Sequence, residues 1–197
     1  MIRKLEYTVD REFAGKPVLS FLRAHGFSSR MIKNLKKNPH GILIGNKKST
    51  VLKQLRAGDR LTVYIKETAS VNVVPRDIPI DIVYEDRDII VCDKPPFMAT
   101  HPSQDNYDNT LANALAYHFA SEGQECVIRP VNRLDKNTSG LIIAAKNAHA
   151  SGILSDALKQ RRIHREYLAF IEGCIEPESG IICAPIARAG GSTIERG

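Results

Sequence analysis

The sequence predicts an α+β fold built from two unequal modules, and three observations carry that expectation. Charge is divided along the chain: residues 1–66 hold 15 Lys/Arg against 4 Asp/Glu, whereas residues 67–197 hold 13 against 18. Helical spacing and strand-like alternation follow one another in short blocks on both sides of a proline-containing stretch, Ala69–Pro79. Turn formers separate those blocks. The expected order is a small basic helix-pair and sheet module (1–68), an extended linker (69–79), and a strand-and-helix domain (80–197).

In the first module, Leu5–Val9 opens as a strand. Val18-Leu-Ser-Phe-Leu22 has helical spacing behind Pro17, which suits a first turn, and His25-Gly26 ends it. A second helix opens with Ser28 or Ser29 as N-cap and runs Arg30–Lys37, with Met31, Ile32 and Leu35 on one face. Arg30, Lys33, Lys36 and Lys37 cover the remaining surface. They are either a solvated lysine-rich face or a track for the phosphates of a polyanion. Ile42-Leu-Ile44 enters a Gly45-Asn46 turn, and Leu61–Ile65 alternates as another strand.

Past the linker, Ile82–Pro96 reads as two strands about a Glu85–Asp88 turn, stopped by proline. Thr110 caps a helix over Leu111–Ala120, and Ala148–Gln160 forms another. Tyr167–Ile171 and Ile181–Cys183 are expected strands by β-branched and aromatic content. Arg161, Arg162 and Arg165 form either a solvated turn or a continuation of the polyanion path. His101 and His118 are read as structural histidines.

With 43% hydrophobic and 25% charged residues, the composition is that of a soluble globular chain. No apolar run approaches the ~20 residues of a membrane span. Met1-Ile-Arg-Lys-Leu-Glu6 is no signal peptide. The four cysteines show no C-x-x-C spacing, and Cys92, Cys174 and Cys183 sit in or beside apolar segments. Reduced, mostly buried thiols in a cytoplasmic protein are expected. No His/Asp/Glu cluster has metal-ligand spacing, which disfavours a metal-dependent hydrolase.

The stretch Arg129-Pro-Val-Asn-Arg-Leu-Asp-Lys-Asn-Thr-Ser-Gly140, followed by Leu141–Ala145, has the form of a loop held against a buried strand. Read alone, Arg133 and Asp135 are a surface turn with a local ion pair. Their neighbours change that reading. Tyr84–Pro96, His101-Pro102, Asn132–Leu141 and Arg165-Glu-Tyr-Leu-Ala169 occur in an order that closely resembles the RluA family of RNA pseudouridine synthases. Residues 16–66, through Ser29-Arg30, Lys33, Ile42–Asn46 and Gly58-Asp59, resemble the S-four-type RNA-binding module often found at the N-terminus of that family.

The resemblance implies that 80–197 is part of a mixed, mainly antiparallel sheet catalytic domain with flanking helices. It implies isomerisation of uridine to pseudouridine in structured RNA, with large-subunit ribosomal RNA ahead of transfer RNA as partner. Asp135 would be the catalytic aspartate, its carboxylate acting as nucleophile or base at the ribose. Arg133 would hold Asp135 ionised and fill the space of the flipped uridine, and Tyr167 would stack on uracil. Asn132 stands where the commoner motif has His, and Arg165 where it has Lys. Thr138, Ser139 and Gly140 shape the loop. Neither cofactor nor metal is implied.

The chain stops at Gly197, whereas the family continues with the second half of the catalytic sheet. The expectation is therefore a fragment with exposed strand edges and weak or absent activity. A second hypothesis is an RNA-binding protein whose synthase domain is not catalytic.

Overall fold

The computed structural model describes residues 2–67, 73–103, 107–124, 127–176 and 179–185. The basic module comprises β1 (Ile2–Thr8), α1 (Val18–Ala24), α2 (Ser29–Lys37), β2 (Ile42–Ile44), β3 (Lys47–Lys48) and β4 (Arg60–Lys66). Its antiparallel sheet runs in the order β1-β4-β2-β3, with Ile2 opposite Lys66 and Thr8 opposite Arg60. Both helices form where the spacing places them. Pro17 precedes α1, and the Ser28 side chain caps α2 by accepting from Met31 N–H. Gly26 has φ +79°, the left-handed conformation that ends α1 at little cost only for glycine. Phe21, Leu22, Met31, Ile32 and Leu35 from the helices close over Leu61, Val63 and Ile65 of β4. That core removes both apolar helix faces from water and leaves the basic face of α2 outside.

A second sheet is built from β5 (Asp81–Glu85), β6 (Ile89–Lys94), β7 (Arg129–Pro130) and β8 (Gly140–Ala145), in the order β5-β6-β8-β7 and antiparallel throughout. Ile90 lies opposite Ala144 and Cys92 opposite Ile142, so these four side chains share one face. Leu111, Leu115 and Phe119, spaced four apart on α3 (Leu111–Ser121), pack onto that face. Thr110 caps α3 in a reciprocal box with Asn113, and Asn113 Nδ2 also donates to Val74 O at 2.8 Å. The extended stretch from residue 73 is thereby tied to α3. Part of the expected linker, residues 69–72, lies outside the described residues, as do Cys126 and 186–197.

α4 (Ala148–Lys159) lies beside the first module. Gly152 meets Gly26 so closely that a Cβ on Gly152 would stand 2.7 Å from the Gly26 carbonyl oxygen. The Phe27 and His149 rings are 4.7 Å apart, and His149 Nε2–H donates to His25 O at 2.8 Å. Two ion pairs connect the sheets: Arg3 with Asp88, and Arg129 with Glu67 at 2.8 Å. Glu67 also accepts from the Ala148 N–H at 2.7 Å.

Three expectations are corrected. Residues 167–171 and 181–183 form no strand, and Leu168, Phe170, Ile181 and Ile182 are fully or nearly fully exposed. β propensity describes fit to a neighbouring strand, and among the described residues neither segment has one. Cys174 and Cys183 are exposed for the same reason; of the three described cysteines only Cys92, on the packed face of β6, is buried as expected. Burial first, then Glu85 and Asp81, push its thiol up to about 12, so Cys92 is an inert hydrophobe. Residues Arg165–Gly197 form a unit separate from Met1–His164.

Candidate active site and nucleic-acid surface

The loop between β7 and β8 is fixed from both sides. Asn132 acts as a surrogate strand residue: its Nδ2 donates to Leu141 O at 3.0 Å, and its Oδ1 accepts from Ile143 N–H at 2.9 Å. The backbone bond from Val131 N–H to Ile143 O, at 2.8 Å, continues the same ladder. An amide supplies one donor and one acceptor side by side, which is what an exposed strand edge asks for. The residue expected to contact substrate is thus committed to β8.

From the other side comes Lys94, which is 0% exposed. Its ammonium donates to Pro95 O and Met98 O at 2.8 Å each, and to Lys136 O at 3.3 Å. No carboxylate accompanies it there among the described residues; three carbonyl dipoles hold the charge, and burial pulls its pKa down. Sequence reading did not single out Lys94. Its signal was position: Ile90, Cys92 and Lys94 alternate onto one face of β6, so a lysine sits where the period demands a buried side chain. Thr100 Oγ1 adds a bond to Leu134 O at 3.3 Å.

Between these anchors Leu134 points into the core formed by Ile90, Leu111 and Ile142, and its neighbours Arg133 and Asp135 are exposed. A half-buried leucine packed on that core, flanked by two exposed groups, favours one setting of the loop, because turning it over would expose the leucine. Asp135 O accepts from Thr138 N–H at 3.1 Å, closing the turn that Gly140, at φ +122°, returns to β8. His101 borders the site. Partial desolvation, then the Arg133 charge, lower its pKa below the ordinary value, although the residue as a whole is exposed. Phe97, between the Lys94 anchor points, takes a left-handed φ of +64° and is 71% exposed.

Arg133, Asp135 and Asn132 therefore share one loop. Tyr167 belongs to the other unit and is 59% exposed. Arg30, Lys33, Lys36 and Lys37 are all exposed on α2, and no ion pair among the described residues engages them. They form an uncommitted cationic surface.

One carboxylate–imidazole cluster was invisible in the sequence. Glu85, His118 and Glu122 bring ligand atoms within 4.8 Å of one another, although they come from β5 and α3. Lys146 already bonds Glu85 at 2.5 Å, and His118 bonds it at 2.8 Å. Burial alone would raise the Glu85 pKa, but the Lys146 and His118 bonds outweigh it and hold the carboxylate ionised. The cluster is an ion-pair network joining β5, α3 and the end of β8.

The described residues thus present a clamped loop with an exposed carboxylate and guanidinium, and a separate cationic helix. Comparison with known proteins gives the class its name. Residues 88–195 match the family model for RNA pseudouridylate synthase. The chain is 34% identical over 175 residues to the uncharacterized RNA pseudouridine synthase YhcT of Bacillus subtilis, covering 89% of this chain and 53% of that one. It is 33% identical over 172 residues to YjbO of the same organism, covering 87% and 61%. With ribosomal large subunit pseudouridine synthase D of Zymomonas mobilis it shares 40% identity over 141 residues, covering 69% and 44%. The chain belongs to the RNA pseudouridylate synthase family, and it spans about half the length of these curated relatives.

Proposed function

We propose that the protein isomerises uridine to pseudouridine in structured RNA, with Asp135 as the catalytic carboxylate and large-subunit ribosomal RNA as the substrate class. The observation that carries this reading is the setting of the loop. Asp135 and Arg133 are exposed on either side of Leu134, which packs half-buried on the core, and the loop is held by Lys94 and Asn132. In the reaction the ribose C1′–N1 bond breaks with its electron pair retained on the uracil. The base turns, C5 bonds to C1′, the C5 hydrogen leaves as a proton, and N1 takes up a proton on the pair it retained. An ionised carboxylate at the sugar stabilises the electron-poor C1′, as nucleophile or as base partner.

Arg133 occupies the space of the extruded nucleotide and contacts its phosphate, and Tyr167 stacks on the uracil. Arg30, Lys33, Lys36 and Lys37 hold the RNA backbone through the basic module, which we read as S-four-type. The division at 1–68, 69–79 and 80–197 is supported by two sheets that each close their own core. A relative named as a ribosomal large subunit synthase supports ribosomal RNA, and hence a cytoplasmic setting. No helix among the described residues is long and apolar enough to cross a membrane.

Release of tritium from RNA labelled at uridine C5 tests the reading. The wild-type chain is expected to release it and Asp135→Asn to release none while still binding RNA. Release by Asp135→Asn at the wild-type rate refutes the assignment. Binding without release by the wild type supports the non-catalytic alternative.

A further inference from the structure

A groove of about 830 Å³ runs between α2 and α4, where the first module meets the second sheet. Its walls come from parts of the chain far apart in sequence. Arg23, Arg30 and Asn34 come from α1 and α2, Lys66 and Arg129 from β4 and β7, and Ser151, Ser155 and Lys159 from α4. Five cations, Arg23, Arg30, Lys66, Arg129 and Lys159, face two carboxylates, Glu67 and Asp156. Glu67 is already committed to Arg129 and to the Ala148 N–H. No ion pair among the described residues engages Arg23, Arg30, Lys66 or Lys159. Four cations thus lie along a shared depression with one uncommitted carboxylate among them, an arrangement that self-repels unless an anion enters.

The groove is also preformed. The Gly26–Gly152 contact sets the helices at close range, and the His149–His25 and Arg129–Glu67 bonds fix their relative position. A ligand entering it meets fixed charges and pays little for ordering the walls.

We propose that this groove binds the phosphodiester backbone of the RNA substrate, as a second contact surface distinct from the Asp135 loop and from the outer face of α2. Arg30 belongs to both the groove and α2, so a strand lying on α2 continues into the groove without leaving positive potential. The proposal rests on the reading of the protein as an RNA-directed enzyme. It adds that both modules grip the RNA together, with Lys66 contributed by the first and Lys159 by the second.

The test uses the intact chain, a fluorescein-labelled RNA hairpin, and anisotropy titrations from about 50 to about 200 mM KCl, where phosphate contacts are most legible. Lys66→Gln and Lys159→Gln each neutralise one exposed cation, and thermal melts verify that both remain folded. Each is expected to weaken binding several-fold and to flatten the slope of log K against log salt by about 0.7–0.9, with the double variant flattening it about twice as much. Lys66→Arg and Lys159→Arg retain the wild-type slope. Wild-type slopes for both Gln variants, alongside a flattened slope for Lys33→Gln/Lys36→Gln, overturn the groove and leave the RNA-directed reading standing. Flattening by only one of the two groove variants overturns the two-walled site. Salt-independent or absent binding by the wild type overturns both readings together.

Discussion

Replacing Lys94 by Met keeps the length of the side chain and removes the ammonium. In the wild type that ammonium is fully buried and bonds three carbonyls, two at 2.8 Å and one at 3.3 Å. There the three charge-assisted bonds offset the cost of burying the ammonium, so methionine removes both together and leaves the carbonyls without their donor. Met98 O lies on the buried side and loses its partner outright; Pro95 O and Lys136 O are partly reachable by water. At roughly 1–3 kcal/mol for a fully orphaned polar group and less for the two others, the net loss is about 3 kcal/mol. For a domain of this size that is a fall in Tm of roughly 6–12 °C. Urea unfolding followed by far-ultraviolet circular dichroism measures it, with an unchanged m-value marking a loss of stability alone. The Lys136 carbonyl is one residue from Asp135, so tritium release is expected to fall further than stability does when measured well below the melting range. A loss of less than about 0.5 kcal/mol would mean that the carbonyls are solvated and that Lys94 is not the anchor beneath the loop.

Three other consequences are open to direct measurement. Gly152→Ala should lower stability by about 1–3 kcal/mol, because its Cβ would stand 2.7 Å from a backbone oxygen that cannot swing away. An alanine in a helix not so packed would instead raise stability by about 1 kcal/mol, so the sign decides whether α4 is docked on the first module. Asn132→Ala should cost about 2 kcal/mol in urea unfolding through its two bonds to β8, and Asn132→Asp should not restore it, since a carboxylate then faces the Leu141 carbonyl. Burial holds the His149 pKa below its ordinary 6.5, against a weaker opposing contribution from its bond to the His25 carbonyl. The unfolded chain therefore binds the proton more readily. This stability is complete above the ordinary value and is lost as pH falls through it, so Tm should drop from pH 7.5 to about 5.5. His149→Gln, which keeps an N–H for the carbonyl, should flatten that drop without abolishing it, because His101 is shifted in the same direction. An unaltered Tm profile for His149→Gln would contradict the buried setting of His149.

Much of this structure was legible in local chemistry. Ser28 and Thr110 announce α2 and α3 because a side-chain oxygen is needed to satisfy the first free N–H groups of a helix. The spacing of Met31, Ile32 and Leu35 fixed which face of α2 would be buried, and so which cations would remain outside. The loop ahead of a buried strand was legible from the apolar run Leu141–Ala145, but the packing of Leu134 between exposed Arg133 and Asp135 appears only in the structure. Other features depend on partners distant in sequence. Nothing near Lys94 reveals that three carbonyls converge on it, and nothing near Glu85 reveals His118 and Lys146. β3 is two exposed lysines, a strand only because β2 lies beside it. Tyr167–Ile171 shows the converse: strong strand composition without a neighbour among the described residues, and hence no strand. Asn132 sits between these cases. Its place in the motif is local, whereas the two bonds its amide makes to β8 depend on a strand that the turn brings back beside it.

The most direct test of the central claim compares wild type with Asp135→Asn in two assays on the same RNA: tritium release from uridine C5, and equilibrium binding. The side chains are nearly isosteric, and Asp135 is exposed, so folding and RNA affinity should be unchanged. Loss of a reacting group that forms or stabilises the bond at C1′ should remove release altogether. Equal binding, with no detectable release by Asp135→Asn against measurable release by the wild type, is the expected result. Equal release by the two proteins would contradict it.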